Sequence, residues 1–284
     1  MSSAPSSNLV SVDWLAEHLD DDELVIFDAS VPPVVPGFVS ANADGPLRAI
    51  PGARRFDYDQ QICKPNSALP HMMPDAALFQ AELRKLGVNQ DSVLVVYDDV
   101  GLYASPRAWW MLKAIGHDRV FVLDGGLPAW LSAGHPCAQE WESAPQQGNF
   151  TAAERADYFC DFEVVLAALD DPDTDILDAR SAGRFYGRDP EPRPGNRGGH
   201  MPGAKNLPCR EVLNEHFLKP AAELREMLDR QLDADKTLIT SCGSGITACI
   251  LTLAAAEAGY QKLAVYDGSW AEWGQPSKLP VVTD

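Results

Sequence analysis

Basic residues are scarce in this chain of 284 residues: 23 lysines and arginines stand against 41 aspartates and glutamates, for a formal charge of −18. That surplus repels a phosphate backbone or an anionic lipid leaflet, which argues against nucleic acid and membrane partners and obliges any anionic substrate to find its own group of arginines. No run of about 18 apolar residues occurs, so no membrane-spanning helix is expected. The opening MSSAPSSNLV has neither the basic residue nor the apolar stretch of a secretory leader, and a cytoplasmic protein is expected. Cysteine is sparse and dispersed. Cys63, Cys137, Cys160, Cys209, Cys242 and Cys249 form no CxxC pair and no zinc spacing, which predicts reduced thiols rather than a disulfide framework or a metal centre.

What the chain does have is a core-forming composition, 45% hydrophobic, enough for one large or two modest domains. It also repeats itself. The stretch LVVYDDVGLYASPRAWW from Leu94 lies over LITSCGSGITACILTLA from Leu238 at an offset of 144 residues, which becomes 143 at the DG turns of Asp124 and Asp267. Upstream, VIFDAS at Val25 echoes DILDAR at Asp175, and IPGARRFD at Ile50 echoes MPGAKNLP at Met201. The order is the same in both halves: aspartate-ended strand, PGA turn, strand, loop, helix, strand, DG turn, tryptophan. Tandem duplication of one domain explains it. Each half alternates short apolar runs with amphipathic helices, which predicts an α/β fold, a mainly parallel sheet covered by helices on both faces. Ile246, Cys249, Ile250 and Leu253 fall on one helical stripe, with Gly259 where that helix should stop. Ala108, Met111, Leu112 and Ile115 repeat the stripe in the first half. The polar stretch from Gln139 marks a linker, so the expected limits are 1–138, a linker over 139–154, and 155–284.

Subtracting the offset from Cys242 gives Asp98. One half carries a thiol where its sister carries a carboxylate, so chemistry is expected in the second half alone. A cysteine between a strand end and a helix start meets converging backbone N–H groups and the positive end of the helix dipole, which favour a nucleophilic thiolate. Gly243 and Gly245 allow the backbone to curl around the sulfur. Packing is the ordinary role of a lone buried cysteine and is the reading kept for Cys249. A phosphatase loop would need C-x5-R, but the sixth residue after Cys242 is Ala248.

With GHMPGA at 199–204, DARSAGRF at 178–185 and CGSGIT at 242–247, the chain resembles the tandem-domain sulfurtransferases of the rhodanese superfamily, from Val10 to the DGSWAEW at Asp267. Thiosulfate-using members typically carry a C-R-K-G-V/I-T loop, whereas mercaptopyruvate-using members carry C-G-S-G-V-T. This chain has the uncharged form, with Ile246 for valine. The resemblance implies two rhodanese-like domains and transfer of sulfur from 3-mercaptopyruvate, through a Cys242 persulfide, to cyanide, a thiol or thioredoxin, with release of pyruvate. It implies no metal and no organic cofactor. Gly243, Ser244, Gly245, Ile246 and Thr247 would form the active loop, Arg184 and Arg193 would hold the ketoacid, and Asp59, His71 and Ser244 would relay a proton. Arg180 is expected to be structural, paired with a carboxylate near the loop, and Arg188 and Arg197 to be solvated. Two alternatives stand beside this reading: a thiosulfate:cyanide sulfurtransferase, and a non-catalytic persulfide relay or binding module.

Overall fold

Each buried run returns to the next through a helix or a long loop, so neighbouring strands run in the same direction and the sheets are parallel. The structure is a computed structural model that describes residues 7–283; residues 1–6, part of the opening stretch read above for a leader, and residue 284 lie outside the described residues. Contacts divide the chain into two units. One comprises the chain up to Pro65, Met73–Arg155 and Glu215–Leu218; the other comprises Asn66–Met72, Ala156–Asn214 and the chain from Lys219.

The first unit contains β1 (Leu9–Val10), α1 (Val12–Glu17), β2 (Leu24–Asp28), β3 (Arg54–Arg55), α2 (Ala76–Lys85), β4 (Val93–Tyr97), α3 (Ser105–Ala114), β5 (Val120–Leu123) and α4 (Gly126–Ser132). The second contains β6 (Phe159–Cys160), α5 (Phe162–Ala168), β7 (Thr174–Asp178), α6 (Ala182–Phe185) and β8 (Lys205–Asn206). A short ladder of β9 (Leu213–Asn214) and β10 (Phe217–Leu218) follows. The second unit then continues with α7 (Ala221–Asp229), β11 (Thr237–Ser241), α8 (Ala248–Glu257), β12 (Leu263–Tyr266) and α9 (Ser269–Trp273).

The duplication is visible in the sheet orders, β1-β5-β4-β2-β3 and β6-β12-β11-β7-β8, all pairs parallel. From β2 the chain moves to one side, to β3; from β4 it moves to the other, to β5. The carboxyl ends of β2 and β4 therefore flank the place where the winding reverses, as those of β7 and β11 do in the second sheet. Open parallel sheets leave a crevice at this place. The expected helical stripes are buried: Ala108, Met111, Leu112 and Ile115 in the first unit, Ile246, Cys249, Ile250 and Leu253 in the second. Among the described residues no helix is long and apolar enough to cross a membrane.

The polar segment 139–154 is not a free tether. Its backbone is hydrogen-bonded along the first unit, from Glu142 to Ala53, Gly148 to Arg84, Phe150 to Val88 and Ala153 to Ile115, and Trp141 Nε1 donates to Asp28 at 2.9 Å. Exposed side chains made the stretch read as a linker, while its main chain is fixed by bonds that side-chain polarity does not report.

Asp98 anchors the loop that joins β4 to α3. Its carboxylate accepts five backbone N–H bonds, from Val100, Gly101, Tyr103, Ala104 and Ser105, at 2.8–3.0 Å, together with the Ser105 hydroxyl at 2.6 Å. The side chain is fully buried. Asp98→Ala strands these donors away from water and should destabilise the first unit by roughly 3–5 kcal/mol, read as a lower urea midpoint. His117 supplies a pH-dependent term. It is 3% exposed and packs against Phe150, and burial lowers its pKa to about 4. Unfolded histidine titrates near 6.5, so as pH falls from about 6.5 to 4 the unfolded chain takes up a proton that the folded one refuses. The stability contributed above pH 6.5, about 3 kcal/mol, is lost over that interval. Urea denaturation of His117→Gln should show a correspondingly shallower loss between pH 7 and 4 than the wild type.

Candidate active site

β11 ends at Ser241, and six residues, Cys242–Thr247, separate it from α8. Gly245 adopts φ +80° and turns its N–H onto Cys242 Sγ at 3.1 Å. Its counterpart Gly101 donates to Asp98 Oδ1 at 2.8 Å. The same turn thus aims an amide at a carboxylate in one unit and at a thiol in the other. Cys242 is 1% exposed, and Ser244, Ile246 and Thr247 are buried around it. Burial of this kind withholds water from the sulfur and strengthens the local electrostatics.

The backbone of Cys242 is held from the opposite side by the DG turn. Its N–H donates to Ser269 Oγ at 3.2 Å, its carbonyl accepts from Trp270 N at 2.9 Å, and the Gly243 carbonyl accepts from Ala271 N at 2.8 Å. In the first unit Leu127 N makes the corresponding bond to the Asp98 carbonyl. Ser269 sits at φ +47°, where the sister domain has Gly126 at +52°. A side chain at Gly126 would meet the Asp98 carbonyl at 2.5 Å, yet the second unit retains a serine, whose hydroxyl also donates to the Tyr266 carbonyl at 2.8 Å. Ser269 was not foreseen from the sequence. The contrast between DGS and DGG at the two turns was the available signal.

Arginines converge on the loop from the segment after β7. The Arg184 guanidinium lies beside Gly243, where an added Cβ would be 3.3 Å from it, and Arg193 reaches the Gly243 carbonyl at 3.5 Å. Arg184 is also gripped by Glu191, at 2.6 and 3.2 Å, and Glu191 in turn accepts from Arg180 at 2.9 Å. Arg180 is buried, bonded to Asp178 at 2.7 Å and to the Gly199 carbonyl, with its guanidinium 3.9 Å above the Trp270 ring. It is structural and carboxylate-paired, as expected. Glu191, 3% exposed at its side chain, was missed; it stands with Asp189 between the two arginines of GRDPEPR, where acidic residues set among cations are the signal. Arg188 lies over the Tyr186 ring. Arg197 departs from the expected solvated charge: it donates to the carbonyls of Leu279 and Trp273, at 2.9 and 2.7 Å, and ties down the chain after α9. Sequence cannot separate an arginine facing water from one facing main-chain carbonyls.

A cavity of about 340 Å³ adjoins this arrangement, lined by Arg193, Asn196, Ala271 and Gln275 and by Ala68–Pro70. His71 belongs to the same short segment, Asn66–Met72, which packs with the second unit, and its backbone is left-handed at φ +59°. Asp59 belongs to the first unit, where its carboxylate accepts from Gln60 Nε2. All six cysteines are free thiols. Cys209 is buried within electrostatic range of Cys242 and hydrogen-bonded by Thr247; burial first, and then the charge of Cys242, push its thiol up to about 12, so it stays protonated. Cys249, on the α8 stripe, donates to the Gly245 carbonyl and is packed away, as expected.

Comparison with known proteins agrees with this geometry. Residues 11–133 and 161–276 match the Rhodanese-like domain family. The chain is 42% identical over 275 residues to 3-mercaptopyruvate sulfurtransferase of Escherichia coli (strain K12), covering 96% of each protein. It is 38% identical over 275 residues to thiosulfate sulfurtransferase of Rattus norvegicus, covering 93% of this chain and 91% of that one. Its fold superposes on the crystal structure of SseA from Escherichia coli, described as a 3-mercaptopyruvate sulfotransferase, with a TM-score of 0.81 at 37% identity over 94% of this chain and all of the other. The chain belongs to the rhodanese family, with one rhodanese-like domain in each half.

Proposed function

We propose that this chain is a 3-mercaptopyruvate sulfurtransferase that works through a persulfide on Cys242. The observation that carries the reading is the meeting, on one loop, of a buried thiol turned toward the Gly245 amide and two arginines at Gly243 suited to an α-ketoacid. The related proteins named for this activity share most of the chain's length.

In the first step the Cys242 thiolate attacks the sulfur of mercaptopyruvate. A sulfur–sulfur bond forms, the carbon–sulfur bond breaks, and its electron pair leaves on pyruvate as the enolate. The thiol proton of the donor finally resides on the methyl carbon of pyruvate, and the persulfide keeps the negative charge. Ser244, His71 and Asp59 serve this proton movement. Loop amides stabilise the outer sulfur and the developing enolate, a pre-organised electrostatic contribution. Arg184 and Arg193 grip the carboxylate and keto oxygens through their planar guanidinium forks. In the second step an acceptor thiolate attacks the outer sulfur and releases the Cys242 thiolate; cyanide, a small thiol or thioredoxin fits that role. A cytoplasmic setting suits six free thiols.

Thiosulfate is the competing donor, since a thiosulfate sulfurtransferase is among the similar proteins. A doubly charged donor calls for cations in the loop itself, and 243–247 reads GSGIT. The ratio of kcat/KM for the two donors tests the preference and should favour mercaptopyruvate.

Incubation with mercaptopyruvate should add one sulfur to the Cys242 peptide by mass spectrometry. Cys242→Ser should neither gain that sulfur nor release pyruvate while keeping the wild-type circular dichroism, and turnover near the wild-type rate would overturn the assignment. Arg184→Ala and Arg193→Ala should each lose about 2–5 kcal/mol in kcat/KM for mercaptopyruvate, because a bidentate charged contact disappears. Wild-type kinetics in both variants would remove the arginines from the ketoacid site.

A further inference from the structure

Among the groups gathered around Gly243, Glu191 is the one whose place the proposed chemistry leaves unexplained. It is a carboxylate beside a site meant for an anion, where by itself it can only repel the donor. Its side chain is 3% exposed and both oxygens are engaged: Oε1 accepts from Arg180 Nη1 at 2.9 Å and from Arg184 Nε at 3.2 Å, and Oε2 accepts from Arg184 Nη2 at 2.6 Å. Pro190 and Pro192 restrict the backbone on either side of it.

The bonds decide which face of Arg184 a ligand can use. Glu191 takes the fork formed by Nε and Nη2. The fork formed by Nη1 and Nη2 remains, and it is the one beside Gly243, where an added Cβ would lie 3.3 Å from Nη2 and 3.8 Å from Nη1. With its side chain 17% exposed, Arg184 is open to solvent on that side. Arg180 offers a donor nothing: Asp178 holds its Nε and Nη2, Glu191 holds its Nη1, and neither Arg180 nor Asp178 has an exposed side chain.

Charge follows from the same bonds. Asp178 answers Arg180 and Glu191 answers Arg184. The charge left over is that of Arg193, which reaches the Gly243 carbonyl at 3.5 Å and has no carboxylate partner among the described residues. On the exposed turn between them Arg188 and Asp189 carry one charge of each sign. An excess of one cation matches a donor with a single negative charge. Mercaptopyruvate with its thiol protonated is such a donor, whereas thiosulfate brings a second negative charge into a site where screening is weak.

We infer that Glu191 is a specificity-determining residue that sets the charge of the donor. It cancels one of the two ligand-facing arginines without displacing it, so the site keeps two guanidinium groups to orient the donor but the attraction of only one cation. Glu191 itself acts through Arg184 and does not touch the donor. This role rests on the proposed sulfur transfer, while the preference for anion charge can be measured without turnover.

Two substitutions separate charge from position. Glu191→Gln removes the charge and keeps the size; Glu191→Asp keeps the charge and shortens the arm. With cyanide as the acceptor throughout, kcat/KM for thiosulfate relative to mercaptopyruvate should rise at least about tenfold in Glu191→Gln and stay within about threefold of wild type in Glu191→Asp, even where both rates fall. A residue that only props Arg184 would lower both donors together and leave the ratio alone. Binding is read separately by calorimetry in Cys242→Ser, where pyruvate, a monoanion, should bind more tightly than oxalate, a dianion of similar size, and where adding Glu191→Gln should shift the ratio toward oxalate by a similar factor. An unchanged donor ratio in Glu191→Gln, an equal change in Glu191→Asp, or oxalate binding at least as tightly as pyruvate while Glu191 is present would overturn the role. If the wild type turned over neither donor while the oxalate-to-pyruvate ratio still responded to Glu191→Gln, the sulfur-transfer reading would fall and the charge rule of the anion site would stand.

Discussion

One strand-to-helix turn that points backbone N–H groups at the first side chain of its loop underlies both halves of this molecule. In the first unit the anion is built in: the Asp98 carboxylate takes five N–H bonds and a hydroxyl, and the loop closes on it. Its counterpart in the second unit, Cys242, is a shorter side chain with one large atom, met by the Gly245 amide. The duplicated frame therefore provides its own control. The same loop surrounds a carboxyl group with main-chain donors in one copy and turns an amide onto a sulfur in the other. Backbone dipoles suit this work because they need no further charge and no reorganisation.

A second constraint follows from the net charge of −18. A cationic site in such a protein must be assembled locally, and the arginines needed for it must be kept from collapsing onto nearby carboxylates in unproductive ways. Asp178, Arg180, Glu191 and Arg184 solve this as an alternating chain, each charge bonded to the next at 2.6–2.9 Å. Glu191 neutralises part of the positive charge and fixes Arg184 beside Gly243, while Arg193, without a carboxylate in that chain, reaches the Gly243 carbonyl. Removing one member from such a buried chain leaves an uncompensated charge, which explains why the segment after β7 holds its course although α6 spans only four residues.

Much of this was legible in the residues. Strands ending in Asp28 and Asp178, the paired helical stripes and the DG turns all recur in the same order, and repetition is a global signal that survives local ambiguity. Cys242 stood out because its sister position holds a carboxylate. Glu191 and Ser269 were not read from the sequence: Glu191 bonds the side chains of Arg184 and Arg180, and Ser269 acts through the main-chain groups of Cys242 and Tyr266, and neither choice of partner is recorded by composition or pattern. Arg197 was read as solvated for the same reason: its partners are carbonyls about eighty residues away. The segment 66–72 is harder still. It lies between elements of the first unit yet packs with the second, and nothing in its composition records that choice.

Divergence of the two copies also extends to the segment that follows β2 in one and β7 in the other. Once Asp98 fills the amide turn, that turn is closed to an incoming anion. The segment after β2 is then relieved of holding arginines, and in place of Arg180 it carries Ser30, which bonds Asp28 and receives the Asp99 N–H. Asp99 replaces Gly243 at the next position of the loop. A carboxylate there would sit on the guanidinium of Arg184 in the second unit; in the first it is met by the hydroxyls of Ser40 and Ser30. Where one loop has Cys242 and Gly243 the other has Asp98 and Asp99, and the sheet order that creates each crevice is the same.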